Sequence, residues 1–176
     1  LYTCAAKSHA RRSAQTGLWH LSNALIRLMA PVLSFTAQEA WQAFHSQDED
    51  AMVFAEQAAS LPKPPQAENL SRKWALIRET RAEVMKAIEK SRETGQLGSS
   101  LQAKVKIKAS TEKAKALLSL GDDLRFVLIT SEAKVEEQSP QTGDGVEVEV
   151  SPMDAPKCAR CWHFRYDVGS VEDHPL

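Results

Sequence analysis

The stretch Leu101-Gln-Ala103-Lys-Val105-Lys-Ile107-Lys-Ala109 decides the fold of the C-terminal part of this 176-residue chain. Apolar and polar residues alternate without a break, which places apolar side chains on one face of an extended strand and lysines on the other. The pattern predicts a half-buried β-strand. Its lysines either contact phosphates or protect an edge strand from aggregation, and the sequence leaves both interpretations open. They are Lys104, Lys106 and Lys108.

Elements on both sides of this strand complete a small α/β domain. Before it, a turn at 98–100 follows a predicted helix over 71–94 that ends at Gly95. After it we predict a short helix over 111–120, an almost wholly apolar and therefore central strand over 125–130, and an alternating strand over 146–150. This order predicts a three-stranded sheet with helices on one face, in a domain of residues 65–150. The apolar stripe of the first helix consists of Trp74, Ile77, Val84 and Ile88.

The helix predicted over 71–94 is the most basic element of the sequence. Four glutamates are interleaved with its arginines and lysines at helical spacing, so much of the positive charge is compensated within the helix. We favour a solvated face held by ion pairs over an RNA-binding face. The basic residues are Arg72, Lys73, Arg78, Arg81, Lys86, Lys90 and Arg92, and the glutamates are Glu79, Glu83, Glu89 and Glu93.

The N-terminal third is predicted to be helical. A helix over 8–29 carries apolar residues at steps of three and four, and Pro31 ends it. The sequence Thr36-Ala-Gln-Glu39 predicts a capping box that opens a second helix. Two helices joined at a proline corner indicate the end of a helical bundle over residues 1–64, before the proline-rich boundary near residue 65. The apolar face of the first helix is Ala14, Leu18, Leu21, Leu25, Leu28 and Val32.

Bulk properties limit the classes of function. The net charge is −1, so any binding of RNA depends on local patches. The three cysteines do not indicate a disulfide framework, which favours a reducing, cytosolic compartment. No apolar run approaches the length of a membrane span. No glycine-rich phosphate loop or catalytic constellation is present in the sequence.

The segment Ala155-Pro-Lys-Cys158-Ala-Arg-Cys161-Trp162-His163-Phe-Arg165 carries the most specific chemical signal. Two cysteines at this spacing are half of a tetrahedral zinc site. Cationic and aromatic side chains around them suit single-stranded RNA. A redox pair or two inert thiols are the alternatives, and His163 or His174 could in principle add a ligand. We predict a truncated zinc knuckle over 151–176, with Cys158 and Cys161 as metal ligands and with RNA contacts from Lys157, Arg160, Trp162, His163 and Arg165.

Several motifs together resemble bacterial isoleucyl-tRNA synthetase. The motifs are 1–4, 10–16 and 28–41 in the helical part, the helix over 74–92 with the segment 98–103, and Lys157-Cys-Ala-Arg-Cys-Trp-His163 with Val168-Gly169 and His174-Pro175. The resemblance covers essentially the whole chain in the family's own order. The first of these motifs is shared in weaker form with valyl and leucyl relatives, whereas the combination with the cysteine knuckle is specific to the isoleucyl enzyme.

The resemblance implies an α+β fragment that binds tRNA(Ile) near the anticodon. The family ligates isoleucine to this tRNA with ATP, in catalytic and editing domains expected upstream of Leu1, so the fragment alone is expected to be inactive. The family's zinc is held by two cysteine pairs, of which Cys158 and Cys161 map onto one. Trp162 is implied as a base-stacking residue, although packing in the core of the finger is equally compatible. The resemblance further implies a cytoplasmic monomer with no membrane or DNA partner.

Two other functions compete with this interpretation. A similar finger closes certain DNA glycosylases, so a DNA-binding fragment is possible, but the long bundle helices disfavour it. A protein-interaction module that docks through the basic helix is the other alternative. Salt dependence separates these possibilities, because phosphate contacts lose affinity steeply with salt.

Overall fold

The computed structural model describes residues 4–46, 50–138 and 145–170. The chain divides into two compact units, Leu1–Pro65 and Gln66–Leu176, called here the N-terminal and C-terminal units. The described residues form five α-helices and one three-stranded mixed sheet, which confirms the predicted α+β class. None of the described helices is long and apolar enough to cross a membrane. His174 and Pro175, quoted above as part of the resemblance, lie outside the described residues.

The N-terminal unit is a helical hairpin with a small core. Helix α1 spans His9–Met29 and helix α2 spans Ser34–Phe44, followed by a single 3-10 turn at Val53–Ala55. Trp41 is 2% exposed and packs in a cluster with Ala30, Ala37 and Val53. The Gln38 amide joins the 3-10 turn to α2, since it accepts from the Val53 N–H at 3.0 Å and donates to the Ala51 carbonyl at 2.9 Å.

The apolar face predicted for α1 is mostly exposed in this unit. Leu18, Leu21, Leu25, Leu28 and Val32 are all exposed, whereas Ile26 and Met29 pack against the core that includes α2. The predicted capping box is wrong. Helix α2 already begins at Ser34, its N-cap is Leu33 without a side-chain hydrogen bond, and Thr36 therefore lies inside the helix.

The C-terminal unit combines the sheet with three helices. Strand β1 is the central strand, parallel to β2 and antiparallel to β3. The prediction of a half-buried strand is confirmed, because residues along β1 alternate between buried and half-buried. The elements are α3 (Ala67–Glu93), β1 (Ala103–Ala109), α4 (Thr111–Leu118), α5 (Leu124–Leu128), β2 (Glu132–Glu137) and β3 (Glu147–Pro152).

All three helices contribute to a core on one face of this sheet. Val105 and Ile107 of β1 are fully buried and meet Ile77, Val84 and Ile88 of α3 in one apolar cluster. Removal of this apolar surface from water is the main stabilising contribution to the unit. Trp74, predicted in the same stripe, is 37% exposed and lies at the margin.

The opposite face of the sheet is covered by a ladder of ion pairs. Lys104 pairs with Glu132 and Lys106 with Glu136, while Lys108 lies between Glu147 and Glu149 at 3.5 Å from each. The Glu149 and Glu147 carboxylates raise the pKa of Lys108. Because β1 is central, the prediction that its lysines protect an edge is wrong. Their pairing with neighbouring glutamates also argues against a free phosphate-binding strip.

The strand predicted over 125–130 is wrong. These residues form the short helix α5, in which Leu124 and Leu128, four positions apart, are buried while Phe126 is 49% exposed. Ile129 then ends the helix in the left-handed conformation, with φ of 55°. The second strand is instead β2, whose sequence Glu-Ala-Lys-Val-Glu-Glu is mostly polar because it lies at the edge of the sheet with one face open to solvent.

Candidate nucleic-acid interface

The cysteine-containing segment folds as a tight hairpin over residues 156–165. This hairpin, which is shorter than the zinc knuckle predicted over 151–176, is called the knuckle from here on. Lys157 and Phe164 form an antiparallel bridge. Inside it the Cys158 N–H donates to the His163 carbonyl, and the Trp162 N–H donates to the Cys158 carbonyl, each at 2.9 Å. These bonds turn the chain back on itself within five residues. The side chains between the two cysteines and after them are therefore held at the tip of the hairpin.

The two thiols of this turn differ in exposure: Cys158 is buried and Cys161 is half-buried. The Cys158 Sγ accepts the Cys161 backbone N–H at 3.5 Å, and hydrogen bonds from the Cys161 and Arg160 amides lower the pKa of the Cys158 thiol. Amide donors that favour a thiolate suit a metal ligand. The described residues contain no group of three or more potential ligands. By their chemistry, the two thiols supply half of the four-ligand set that a closed structural zinc site needs.

Trp162 is presented to solvent beside the Lys157 ammonium. Its backbone has φ of 63°, an uncommon conformation for a residue with a side chain, and its side chain is 60% exposed. Exposure at this level shows that the ring does not form the core of the knuckle. The Lys157 ammonium lies 5.5 Å from the ring centroid, and Arg160 is exposed in the same turn. The structure thus brings Lys157 and Trp162 together and leaves Arg160 exposed in the same turn.

His163 is held away from solvent. It is 9% exposed, and its ring packs edge-on against Phe126 with centroids 5.3 Å apart. Its Nδ1 donates to the Cys161 carbonyl at 3.1 Å. Burial, together with nearby Arg125 and Arg165, lowers the pKa of His163, so the imidazole is neutral at neutral pH. His163 therefore lies outside the surface that RNA could reach.

The Arg165 guanidinium already forms an ion pair with a carboxylate of the same chain. Its guanidinium donates two hydrogen bonds to the Asp167 carboxylate, at 2.7 and 2.5 Å. This pairing raises the pKa of Arg165 and lowers the pKa of Asp167. A phosphate would have to displace the carboxylate to reach the guanidinium. Of the predicted RNA-contacting residues, Lys157, Arg160 and Trp162 are the accessible ones.

Ser131 connects the knuckle to the sheet, and the sequence analysis missed it. The Ser131 hydroxyl accepts the Phe164 N–H at 2.7 Å and donates to the Leu101 carbonyl. Its own N–H donates to the Ala103 carbonyl at 2.9 Å. A single serine between an apolar run and a polar strand gives no sequence signal for this role. Its effect is to fix the hairpin at the end of the sheet where β1 and β2 begin.

Comparison with known proteins identifies the family. The family described as the anticodon-binding domain of tRNA ligase matches residues 1–107. The chain belongs to this family. The match gives no support to the two alternatives named above, a DNA glycosylase fragment and a protein-interaction module.

Curated members of tRNA ligase families agree with this assignment. The chain is 50% identical to isoleucine–tRNA ligase 1 of Burkholderia mallei over 175 residues. It is 51% identical to isoleucine–tRNA ligase of Paraburkholderia xenovorans over 175 residues, and 49% identical to that of Janthinobacterium sp. over 176 residues. Each match covers 99% of this chain, and the chain spans 18% of the length of each relative. The predicted resemblance to bacterial isoleucyl-tRNA synthetases is confirmed.

Proposed function

We propose that this anticodon-binding chain recognises tRNA(Ile) near its anticodon, as part of an isoleucine–tRNA ligase. The observation that carries the proposal is the exposed Trp162 ring at the tip of the knuckle, with Lys157 against it and Arg160 exposed in the same turn. An unstacked anticodon base can lie on the open part of the ring, while the two cations meet the phosphates on either side of that base. The relatives named above support isoleucine as the amino acid.

The knuckle suits this role because its backbone is fixed before RNA arrives. The hairpin bonds and the Ser131 anchor hold Trp162 in place, so little conformational entropy is lost on binding. Zinc, where bound, would be held in part by Cys158 and Cys161 and would supply a covalent-strength crosslink across the turn.

The remainder of the proposed activity belongs to the longer protein. We place the ATP-dependent joining of isoleucine to tRNA in residues beyond this chain, and assign to this chain the binding of tRNA alone. The proposal includes a cytoplasmic setting, because the reactants of protein synthesis are cytoplasmic. It also includes a monomeric state. The described residues contribute a recognition surface to that enzyme.

The test compares Trp162→Ala with Tyr166→Ala for binding of a tRNA(Ile) transcript, with zinc supplied. Tyr166 is an equally exposed ring four residues away, at 69% exposure. Base stacking on an aromatic ring contributes about 1–3 kcal/mol, so we expect Trp162→Ala to weaken binding by about 5- to 150-fold. Tyr166→Ala should retain the original affinity. Equal affinity of both variants and the unmodified chain would refute the role of Trp162.

A further inference from the structure

A groove between α3 and α4 is lined by positive side chains that have no ionic partner. It has a volume of about 270 Å³ and includes Arg72 and Lys73 from α3 and Lys115 from α4. Across the described part of the chain, none of these three cations has an ion pair or a side-chain hydrogen bond. Glu112 is the one carboxylate in the lining. The groove thus concentrates positive charge in a protein whose net charge is −1.

The distribution of ion pairs along α3 sets this region apart. In the C-terminal half of the helix, Lys86 pairs with Glu83 at 2.8 Å and Arg92 pairs with Glu89 at 2.7 Å. The predicted internal compensation is therefore confirmed for that half. It does not extend to Arg72 and Lys73, which leaves two cations of α3 available at the groove.

An ion pair joins the two walls of the groove. The Lys113 ammonium lies 3.0 Å from the Glu79 carboxylate, and the Lys113 side chain is 6% exposed whereas that of Glu79 is 61% exposed. This contact joins α4 to α3 two residues before Lys115. The placement of the two helices that carry the free cations is therefore set by the fold and does not have to be organised by a ligand.

The knuckle and the start of α4 adjoin opposite ends of β1. The knuckle is tied to Leu101 through Ser131, just before β1 begins. Helix α4 begins at Thr111, just after β1 ends at Ala109. A strand of seven residues is about 20 Å long. A single folded RNA is large enough to reach two points with this separation.

We infer that the groove binds phosphates of the tRNA backbone, as a second contact outside the knuckle. This inference rests on the proposed function and adds a site to it. Three cations without partners favour a polyanion, and a lining without any aromatic residue favours phosphates over bases. The contact should contribute affinity without sequence discrimination, in contrast to the knuckle.

The experiment measures how tRNA(Ile) affinity depends on salt for a variant with Arg72→Gln, Lys73→Gln and Lys115→Gln. Each lost phosphate contact lowers the slope of log K against log salt by about 0.7–0.9. For three contacts, the ratio of affinities at 50 and 200 mM salt should fall by about 20- to 40-fold. Each single variant should lower the slope by about one third of this amount, which keeps the test valid if the triple variant does not fold.

A matched control replaces paired cations of the same unit. The variant Lys86→Gln, Arg92→Gln and Lys106→Gln removes the same charge but should retain the original salt slope. If the unmodified chain binds tRNA and distinguishes anticodons while the groove variant keeps the full slope, this inference alone is overturned. If the unmodified chain does not bind tRNA(Ile), the inference and the proposed function both fail. An equal loss of slope in the groove and control variants would show a general charge effect and would also overturn the groove site.

Discussion

Replacement of Ser131 by alanine should loosen the knuckle from the sheet. Ser131 is 4% exposed, and its hydroxyl makes two hydrogen bonds that join three separate segments of the chain. In the alanine variant the Phe164 N–H and the Leu101 carbonyl both lose this partner. The change adds no bulk, so the loss of these bonds is the main consequence.

The expected loss of unfolding free energy follows from these two hydrogen bonds. A hydrogen bond contributes about 0.5–1.5 kcal/mol net, and a buried group left unsatisfied costs about 1–3 kcal/mol. We therefore expect Ser131→Ala to lower the free energy of unfolding by about 1–3 kcal/mol. Because Phe164 follows the two cysteines, part of the loss should appear as local opening of the knuckle.

Two assays report these effects. Urea unfolding gives the change in stability, and the rate of alkylation of the buried Cys158 thiol, measured in the absence of zinc, gives the frequency of local opening. Ser119→Ala is the control, because the Ser119 hydroxyl bonds only the Ala116 carbonyl near the exposed end of α4. If Ser131→Ala matches Ser119→Ala in stability and in Cys158 alkylation, the anchoring role is refuted.

Three further predictions concern stability. Trp41→Ala should destabilise the N-terminal unit by about 3–5 kcal/mol, measured by urea unfolding, because the ring is 2% exposed; a loss below about 1 kcal/mol would contradict its place in the core. Ile129→Gly should leave stability unchanged or raise it by up to about 1 kcal/mol, since it removes left-handed strain at a residue that is 42% exposed; clear destabilisation would argue against that strain. The Lys134 and Lys104 ammonium groups, 3.1 and 3.3 Å from the Glu132 carboxylate, outweigh burial and lower the pKa of Glu132 from 4.5, so its stabilising effect is present above that pH and is lost as pH falls through the folded-state pKa. Glu132→Gln should thus be less stable at neutral pH and should differ less from the original chain in acid; the same deficit at both pH values would contradict the ionic cause.

The sequence predicted the core strand but misplaced its parallel neighbour. Strict alternation identified β1, because one face of that strand is buried and the other is not. The apolar run over 125–130 predicts a strand, but periodicity alone does not distinguish a short apolar run in a strand from one turn of buried helix. The alternation of Ala133 and Val135 with charged residues in β2 was a usable signal for the true strand.

The N-terminal helices show a different limit of sequence reasoning. Periodicity predicted that α1 is helical and carries an apolar stripe, and both statements agree with the structure. It could not predict which face packs on α2, because that depends on tertiary contacts of Ile26 and Met29. The capping-box prediction is wrong for a local reason, since the chain becomes helical at Ser34, immediately after the turn that follows Pro31.

The sequence predicted which residue types surround the two cysteines of the candidate site, but it did not predict which of these side chains are exposed. Residue types around Cys158 and Cys161 indicated a knuckle with a basic and aromatic rim. Only the structure separates the exposed Trp162 from the buried His163, which adjoin in sequence. Likewise, the Asp167 carboxylate that occupies Arg165 gives no recognisable motif. Burial and pairing are properties of the folded chain and decide which candidates can reach RNA.

The most direct test of anticodon recognition is the affinity of the chain for two RNAs, with zinc supplied. One is tRNA(Ile), and the other is the same tRNA with its anticodon bases altered. We predict that the altered tRNA binds at least about fivefold more weakly, which corresponds to about 1 kcal/mol, and that both affinities fall with salt. Equal affinity for the two RNAs would contradict anticodon recognition and would leave only a general contact with the RNA backbone.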